Sequence, residues 1–230
     1  MLVSVPGKFI YIKTLKTAST SIEMALQPWC QDDPNTPVEE RNHASEGPNG
    51  IVGQRMIGKD KTELDKKWSN HMPAAKIKEL IDPEVWETYT KIHSVRNPFD
   101  KVVSGFFWKT TRQDLQYDGF DEAKVLFEDY VMNAGWQTDY ELVHIDDGYC
   151  GDMAIRYETM IPDLKAVVDH CGLPFDKISL PETKVTTGLR MGREVAEFYT
   201  PKAIAEVQRR CDWIFERFGY TDTPDQLAPN

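Results

Sequence analysis

At 230 residues, 40% of them hydrophobic and 11% aromatic, the chain is long enough to form one domain with a full core. A net charge of −10, from 27 basic against 37 acidic residues, argues against nucleic acid as a general partner, because backbone binding needs a basic field. An anionic ligand must be held by a few local cations, and no apolar run reaches the ~18 residues of a membrane span, so a soluble, cytoplasmic protein is expected.

The first informative stretch is Phe9-Ile10-Tyr11-Ile12, then Lys13 to Ser21, then Ile22-Glu23-Met24-Ala25-Leu26. Four β-prone apolar residues predict a buried strand, and Ile22, Ala25 and Leu26 fall at helical spacing, so the order is strand, loop, helix. Thr20 with Glu23 fits a capping box, and Thr17 and Ser19 are further N-cap candidates. A helix start of this kind attracts anions. Lys13 and Lys16 add cationic donors, and no carboxylate stands ahead of Glu23 in the stretch, so it suits a phosphate. An ordinary α/β turn with Ser and Thr as caps accounts for the same pattern equally well. The glycines and the Gly-Lys-Ser/Thr ending of a Walker A loop are absent.

Residues 31–70 are rich in Asp, Pro, Asn, Gly and Lys and lack periodicity, which predicts a long irregular excursion, either functional or a floppy surface insertion. His71-Met72-Pro73 then opens a helix and leaves His71 just outside its N-terminus. A short helix restarts at Asp82-Pro83 and runs through Trp86, and Tyr89 to Val95 reads as a strand leading to Arg96.

In Val95-Arg96-Asn97-Pro98-Phe99-Asp100-Lys101-Val102-Val103-Ser104, Asn97 is a good N-cap and Pro98 suits the first helical position. A strand-end Arg96 and a hydroxyl at Ser104, two turns into the helix, can reach one phosphate. The bland alternative pairs Arg96 with a local carboxylate and leaves Ser104 exposed. A helix from about Glu122 to Asn133 is expected to bury Val125, Leu126 and Phe127. Trp108, Trp136 and Tyr140 fall outside that stripe and are candidates for an acceptor pocket, with core packing as the alternative.

Met153 to Tyr157 reads as a strand, followed by a helix with Leu164, Val167, Val168 and Cys171 on one face and Gly172 as its cap. Arg156 and Glu158 are expected to form a structural ion pair or cap. Lys184, Thr186, Thr187, Gly188, Arg190, Gly192 and Arg193 make a basic, glycine-containing loop at about 184–193 that suits a flap over a nucleotide. Thr200-Pro201 caps a last helix with Ile204, Val207, Cys211, Ile214 and Phe218 inward and Gly219 at its end. Cys30, Cys150, Cys171 and Cys211 are widely spaced, which favours reduced thiols over disulfides or zinc.

Lys16-Thr17-Ala18-Ser19-Thr20-Ser21 resembles the 5′-phosphosulfate loop of the sulfotransferase family, especially its branch of carbohydrate sulfotransferases of the heparan 2-O type. The Arg96 to Ser104 run resembles the family's 3′-phosphate motif, and Phe218-Gly219-Tyr220 resembles its usual ending. The resemblance spans Phe9 to Tyr220 and implies a single α/β domain over residues 1–230, with a central parallel sheet, helices on both faces and a P-loop-like strand-loop-helix. It implies transfer of a sulfuryl group from 3′-phosphoadenosine 5′-phosphosulfate (PAPS), without a metal, to a hydroxyl, in preference to an amine, of a carbohydrate or small molecule. On this reading Lys16 to Ser21 hold the 5′ end and Lys16 also acts in catalysis. Arg96 and Ser104 hold the 3′-phosphate, and Arg190 and Arg193 cover the nucleotide. Asn70 to Ala74 resembles the segment that supplies a catalytic His, which makes His71 the candidate base, with Glu39 or Glu40 in reserve. The family places acceptor-binding elements between its two donor motifs, which makes 31–70 a candidate for substrate recognition or a lid. No leader is expected, a departure from the family's membrane-anchored Golgi members that suggests a bacterial or phage-like version or a trimmed chain. The rival readings are a kinase-like phosphoryl transferase, which would look to Asp146-Asp147 for Mg²⁺, and a non-catalytic nucleotide-binding protein of the same fold.

Overall fold

A computed structural model describes residues 1–33, 35–133, 135–181 and 187–229. Lys184 and Thr186 of the anticipated basic loop lie outside the described residues. In chain order the strands are β1 (Leu2–Ser4), β2 (Phe9–Ile12), β3 (Ser45–Gly47), β4 (Gly50–Val52), β5 (Thr90–Val95), β6 (His144–Ile145), β7 (Gly148–Tyr149) and β8 (Met153–Arg156). The helices are α1 (Ser19–Leu26), α2 (Glu63–Lys67), α3 (Ala74–Leu80), α4 (Pro83–Thr88), α5 (Pro98–Gln113), α6 (Gly119–Asn133), α7 (Tyr140–Val143), α8 (Met160–His170) and α9 (Pro201–Phe218). They fall into two compact units, Met1–Val95 with Asp139–Thr183, and Arg96–Thr138 with Lys184–Asn230.

The first unit carries a six-stranded sheet in the order β3-β4-β1-β2-β5-β8. The α/β class holds, but the sheet is mixed where a parallel one was expected. β2, β5 and β8 run parallel, whereas β1 pairs antiparallel with β2 and β4, and β3 pairs antiparallel with β4. The link from Ser4 to Phe9 is far too short for the crossover that a parallel pair needs. All four residues of β2 are fully buried, so both faces of the sheet are covered there. Ile22 and Leu26 of α1 join Leu164, Val167 and Val168 of α8 in one apolar cluster with Phe9, Tyr11, Ile92 and Ile155 of the sheet.

The segment 31–70 is less irregular than its composition suggests. Ser45–Gly47 and Gly50–Val52 form a hairpin on the sheet edge, turned by Pro48 and Asn49. A Cβ on Gly50, which has φ +143°, would lie 1.9 Å from the Val3 carbonyl oxygen, so a side chain is excluded at this turn. Thr62 and Asp65 form a capping box at the start of α2. Arg156 makes a two-pronged contact with Asp163, Nε and Nη2 each at 2.8 Å, and Asp163 lies in the first turn of α8, where an anion is favoured.

In the second unit Asn97 Oδ1 accepts from the Phe99 amide at 2.9 Å and Pro98 follows at the first helical position, as expected. α6 begins at Gly119, earlier than anticipated, and buries Ala123, Phe127 and Val131 while Val125 is 70% exposed, so the true stripe runs at i, i+4. Phe99 and Phe127 each meet the Tyr199 ring edge-on, at 5.1 and 4.9 Å. Trp136 is a core residue: its indole N–H donates to the Val131 carbonyl at 2.9 Å and the Arg210 guanidinium lies 4.1 Å from its ring centre. α9 buries Ala203, Val207, Cys211, Ile214 and Phe215, with Ile204 and Phe218 only half-buried. All four cysteines are free thiols. No helix among the described residues is long and apolar enough to cross a membrane.

Candidate functional site

In the first unit the loop between β2 and α1 is shaped by two left-handed residues, Lys16 at φ +59° and Ala18 at φ +56°, on either side of Thr17. Alternating left- and right-handed residues turn successive amides toward a common concavity, the geometry of an anion nest. Each such non-glycine residue costs on the order of 1–3 kcal/mol, so something must hold the loop in place. A knot of hydroxyls does so. Thr14 Oγ1 donates to the Ser94 carbonyl at 2.6 Å, and the Thr14, Thr17 and Ser94 hydroxyls lie mutually within 2.8 to 2.9 Å. Tyr11 OH reaches Ser94 Oγ at 3.0 Å, and Ser19 Oγ donates to the Thr14 carbonyl at 2.6 Å.

This overturns the expected caps. Ala18 is the N-cap of α1 and no side chain caps the helix. Thr17 and Ser19 spend their hydroxyls within the loop. Glu23 turns into the core, where its carboxylate meets Lys13 at 2.6 Å, Arg55 at 3.2 Å and the Met1 amino group at 2.7 Å. Burial alone would raise the Glu23 pKa, but the cations around it hold it well below the usual carboxylate range. Lys13 is fully buried in this pair and is not a loop cation, which leaves Lys16, half-buried, in that role. The stretch also has a carboxylate that its own sequence does not show: Asp139 Oδ1 accepts from the Leu15 amide at 3.2 Å.

His71 stands beside this loop, with its Nδ1 3.2 Å from the Lys13 carbonyl oxygen. A carbonyl only accepts, so Nδ1 carries the proton and Nε2 carries the lone pair. Burial, and then the nearby Lys13 charge, lower the His71 pKa to about 4, so the ring is neutral at ordinary pH. His71 is itself left-handed, at φ +52°, and the neighbouring Asn70 Oδ1 is buried without a donor among the described residues. The other histidines are engaged elsewhere: His43 with Asp65, His93 with Tyr149, His144 stacked on Tyr140, and His170 with Thr90. The reserve candidates Glu39 and Glu40 are exposed.

The second unit gathers Arg96 and Arg190 on one carboxylate. Asp100 Oδ2 accepts from Arg96 Nε at 2.7 Å and lies 2.6 Å from Arg96 Nη2, while Asp100 Oδ1 accepts from Arg190 Nη2 at 2.6 Å. Ser104, one turn beyond Asp100 on α5, is 3% exposed. Arg193 is directed elsewhere, to Glu197 at 3.0 Å and over the Phe120 ring at 4.7 Å. Trp108 is 41% exposed with the Arg112 guanidinium 5.0 Å from its ring centre. Tyr140 lies in the first unit, stacked on His144. Asp146 and Asp147 form the turn between β6 and β7, both at positive φ.

The Arg96–Asp100 pair is the local-carboxylate alternative, which the Arg-x-x-x-Asp spacing at a helix start signals, whereas Ser104 is buried and Asp139 carries no such local signal. Among the described residues no group of three His, Cys, Asp or Glu side chains is arranged to hold a metal ion. Compared with known proteins, the chain matches the model of the sulfotransferase family over residues 1–220. No curated protein and no solved structure matches it.

Proposed function

Because the chain belongs to the sulfotransferase family, and so transfers a sulfuryl group, we propose that it uses PAPS as donor and a hydroxyl of a carbohydrate or small molecule as acceptor. The observation that carries this reading is the His71 ring held on the Lys13 carbonyl, with an unprotonated Nε2 beside a nest-shaped loop. We assign the 5′-phosphosulfate to Lys16, Thr17, Ala18, Ser19, Thr20 and Ser21, and the 3′-phosphate to Arg96 and Ser104 with Arg190. Arg193, turned to Glu197, is assigned the outer part of the covering loop. The family match runs through both compact units, which supports treating residues 1–230 as one catalytic domain.

In this mechanism the acceptor oxygen attacks sulfur while His71 Nε2 takes its proton. The bond from sulfur to the bridging oxygen breaks, and the electron pair leaves with adenosine 3′,5′-bisphosphate. Lys16 stabilises the charge that collects on that oxygen. The hydroxyls of Thr17 and Ser19 act through loop shape, since they are bonded within the loop. Transfer of labelled sulfate from PAPS to a panel of hydroxylated and amino acceptors tests the proposal. The expected result is labelled product with a hydroxylated acceptor and stabilisation by adenosine 3′,5′-bisphosphate in a thermal-shift assay. Stabilisation by ATP with Mg²⁺ alone, without sulfate transfer, would overturn it in favour of phosphoryl transfer.

A further inference from the structure

Asp100 and Arg190 lie 90 residues apart in sequence, yet they meet at 2.6 Å. Asp100 uses one oxygen for each arginine, Oδ2 for Arg96 and Oδ1 for Arg190. The three side chains are 7%, 8% and 12% exposed for Arg96, Asp100 and Arg190, so this is a desolvated group. Arg190 Nε, moreover, is buried and meets no acceptor among the described residues. A buried donor of this kind is costly unless a ligand satisfies it. The unmet N–H, on a guanidinium already fixed beside a second one by a shared carboxylate, asks for an anionic acceptor.

We propose that Asp100 is a positioning residue for a phosphate monoester, fixing Arg96 and Arg190 side by side so that one phosphate takes the Arg190 Nε–H together with Arg96. The proposal rests on the assignment of the 3′-phosphate to Arg96 made above. Guanidiniums brought together without a counter-ion repel each other, and a carboxylate between them removes that cost before the ligand arrives. The ligand is then spared the cost of ordering the turn that carries Arg190, which is the ordinary benefit of preorganisation. Asparagine cannot substitute for this carboxylate, because its Oδ1 can accept from one arginine while its Nδ2 presents a donor to the other.

The test is calorimetric titration of adenosine 3′,5′-bisphosphate and of adenosine 5′-phosphate into the unmutated protein, Asp100→Asn, Arg190→Ala and the double variant. Asp100→Asn is expected to lose at least tenfold of the preference for the bisphosphate, with binding of the 5′-phosphate within twofold of unmutated. The double variant is expected to discriminate no worse than Arg190→Ala alone, because Asp100 acts through Arg190. Unchanged preference in Asp100→Asn overturns the proposal, and tighter bisphosphate binding overturns it by showing that the carboxylate competes with the ligand. If Asp100→Asn does not fold, Arg190→Lys keeps a charge for Asp100 but removes the Nε–H, and it must show the same loss of preference for the proposal to stand. Equal binding of the two nucleotides by the unmutated protein overturns the 3′-phosphate assignment itself and this proposal with it.

Discussion

The hydroxyl of Ser94 lies 2.8 Å from that of Thr17, although 77 residues separate them. Through this contact β5 fixes the conformation of the loop that follows β2. Ser94→Ala removes one corner of the knot and leaves Thr14 and Thr17 bonded to each other. The expected cost is about 1–2 kcal/mol of stability, the range for losing a buried hydrogen bond. Urea denaturation measures it, and calorimetry should show weaker bisphosphate binding as the loop loses its support.

Lys16 is the loop cation left after Lys13 is committed to Glu23. Preorganised charge of this kind is commonly worth about 3–4 kcal/mol of barrier. Lys16→Ala should therefore lower turnover by roughly two to three orders of magnitude while affinity for the bisphosphate product changes much less. Turnover within a few-fold of unmutated would remove Lys16 from the mechanism.

The pKa of about 4 at His71 places the acidic limb of kcat/KM near pH 4 in the free enzyme. An anionic donor beside the ring favours imidazolium, so the limb in kcat should lie higher. His71→Gln should abolish both limbs and turnover while bisphosphate binding survives. A retained limb would point to a carboxylate of the 31–70 segment.

The same depressed pKa has a consequence for stability. Below about pH 6.5 the unfolded chain takes up a proton that the native ring refuses, so this contribution is full above that pH and is lost as pH falls toward about 4. Its size is bounded at about 3.5 kcal/mol, from about 1.4 kcal/mol per pH unit. Denaturation curves collected from pH 7 to pH 4 should be flatter for His71→Gln than for the unmutated protein. Equal slopes would show that the ring is not desolvated.

Glu23→Gln leaves Lys13 and Arg55 buried without their anion. Removing one partner of a buried ion pair typically costs about 3–5 kcal/mol. A loss below about 1 kcal/mol in urea denaturation would show that the cluster is hydrated in solution.

The sequence made the strand-loop-helix around Lys16 legible because β2 is continuously apolar and α1 keeps helical spacing. The cap at Asn97 was legible for the same local reason. The role of Glu23 was not, because a capping box and a core ion pair use the same residue and differ only in partners at positions 13 and 55. Asp139 stayed invisible because its link to Leu15 spans 124 residues. The hairpin within 31–70 could have been read from Pro48-Asn49-Gly50, a turn signal that was outweighed by the polarity of its surroundings. On α6 the register was misplaced because Val125, Leu126 and Phe127 are consecutive apolar residues, and a consecutive run does not say which one faces inward.

Arg55 bears on how the 31–70 segment can be re-engineered. Its backbone pairs with Asn42, and its guanidinium reaches Glu23 at 3.2 Å, Gln27 Oε1 at 2.6 Å and the Glu39 carbonyl at 2.7 Å. A chimera that grafts a foreign stretch in place of this segment must therefore splice outside Arg55 or supply its own cation for Glu23. Exchange of residues 56–61, which lie beyond that guanidinium, leaves the buried charge balance of α1 intact. The sequence of the segment and the charge balance beneath the loop can then be varied separately on one side of a single arginine, but not on the other.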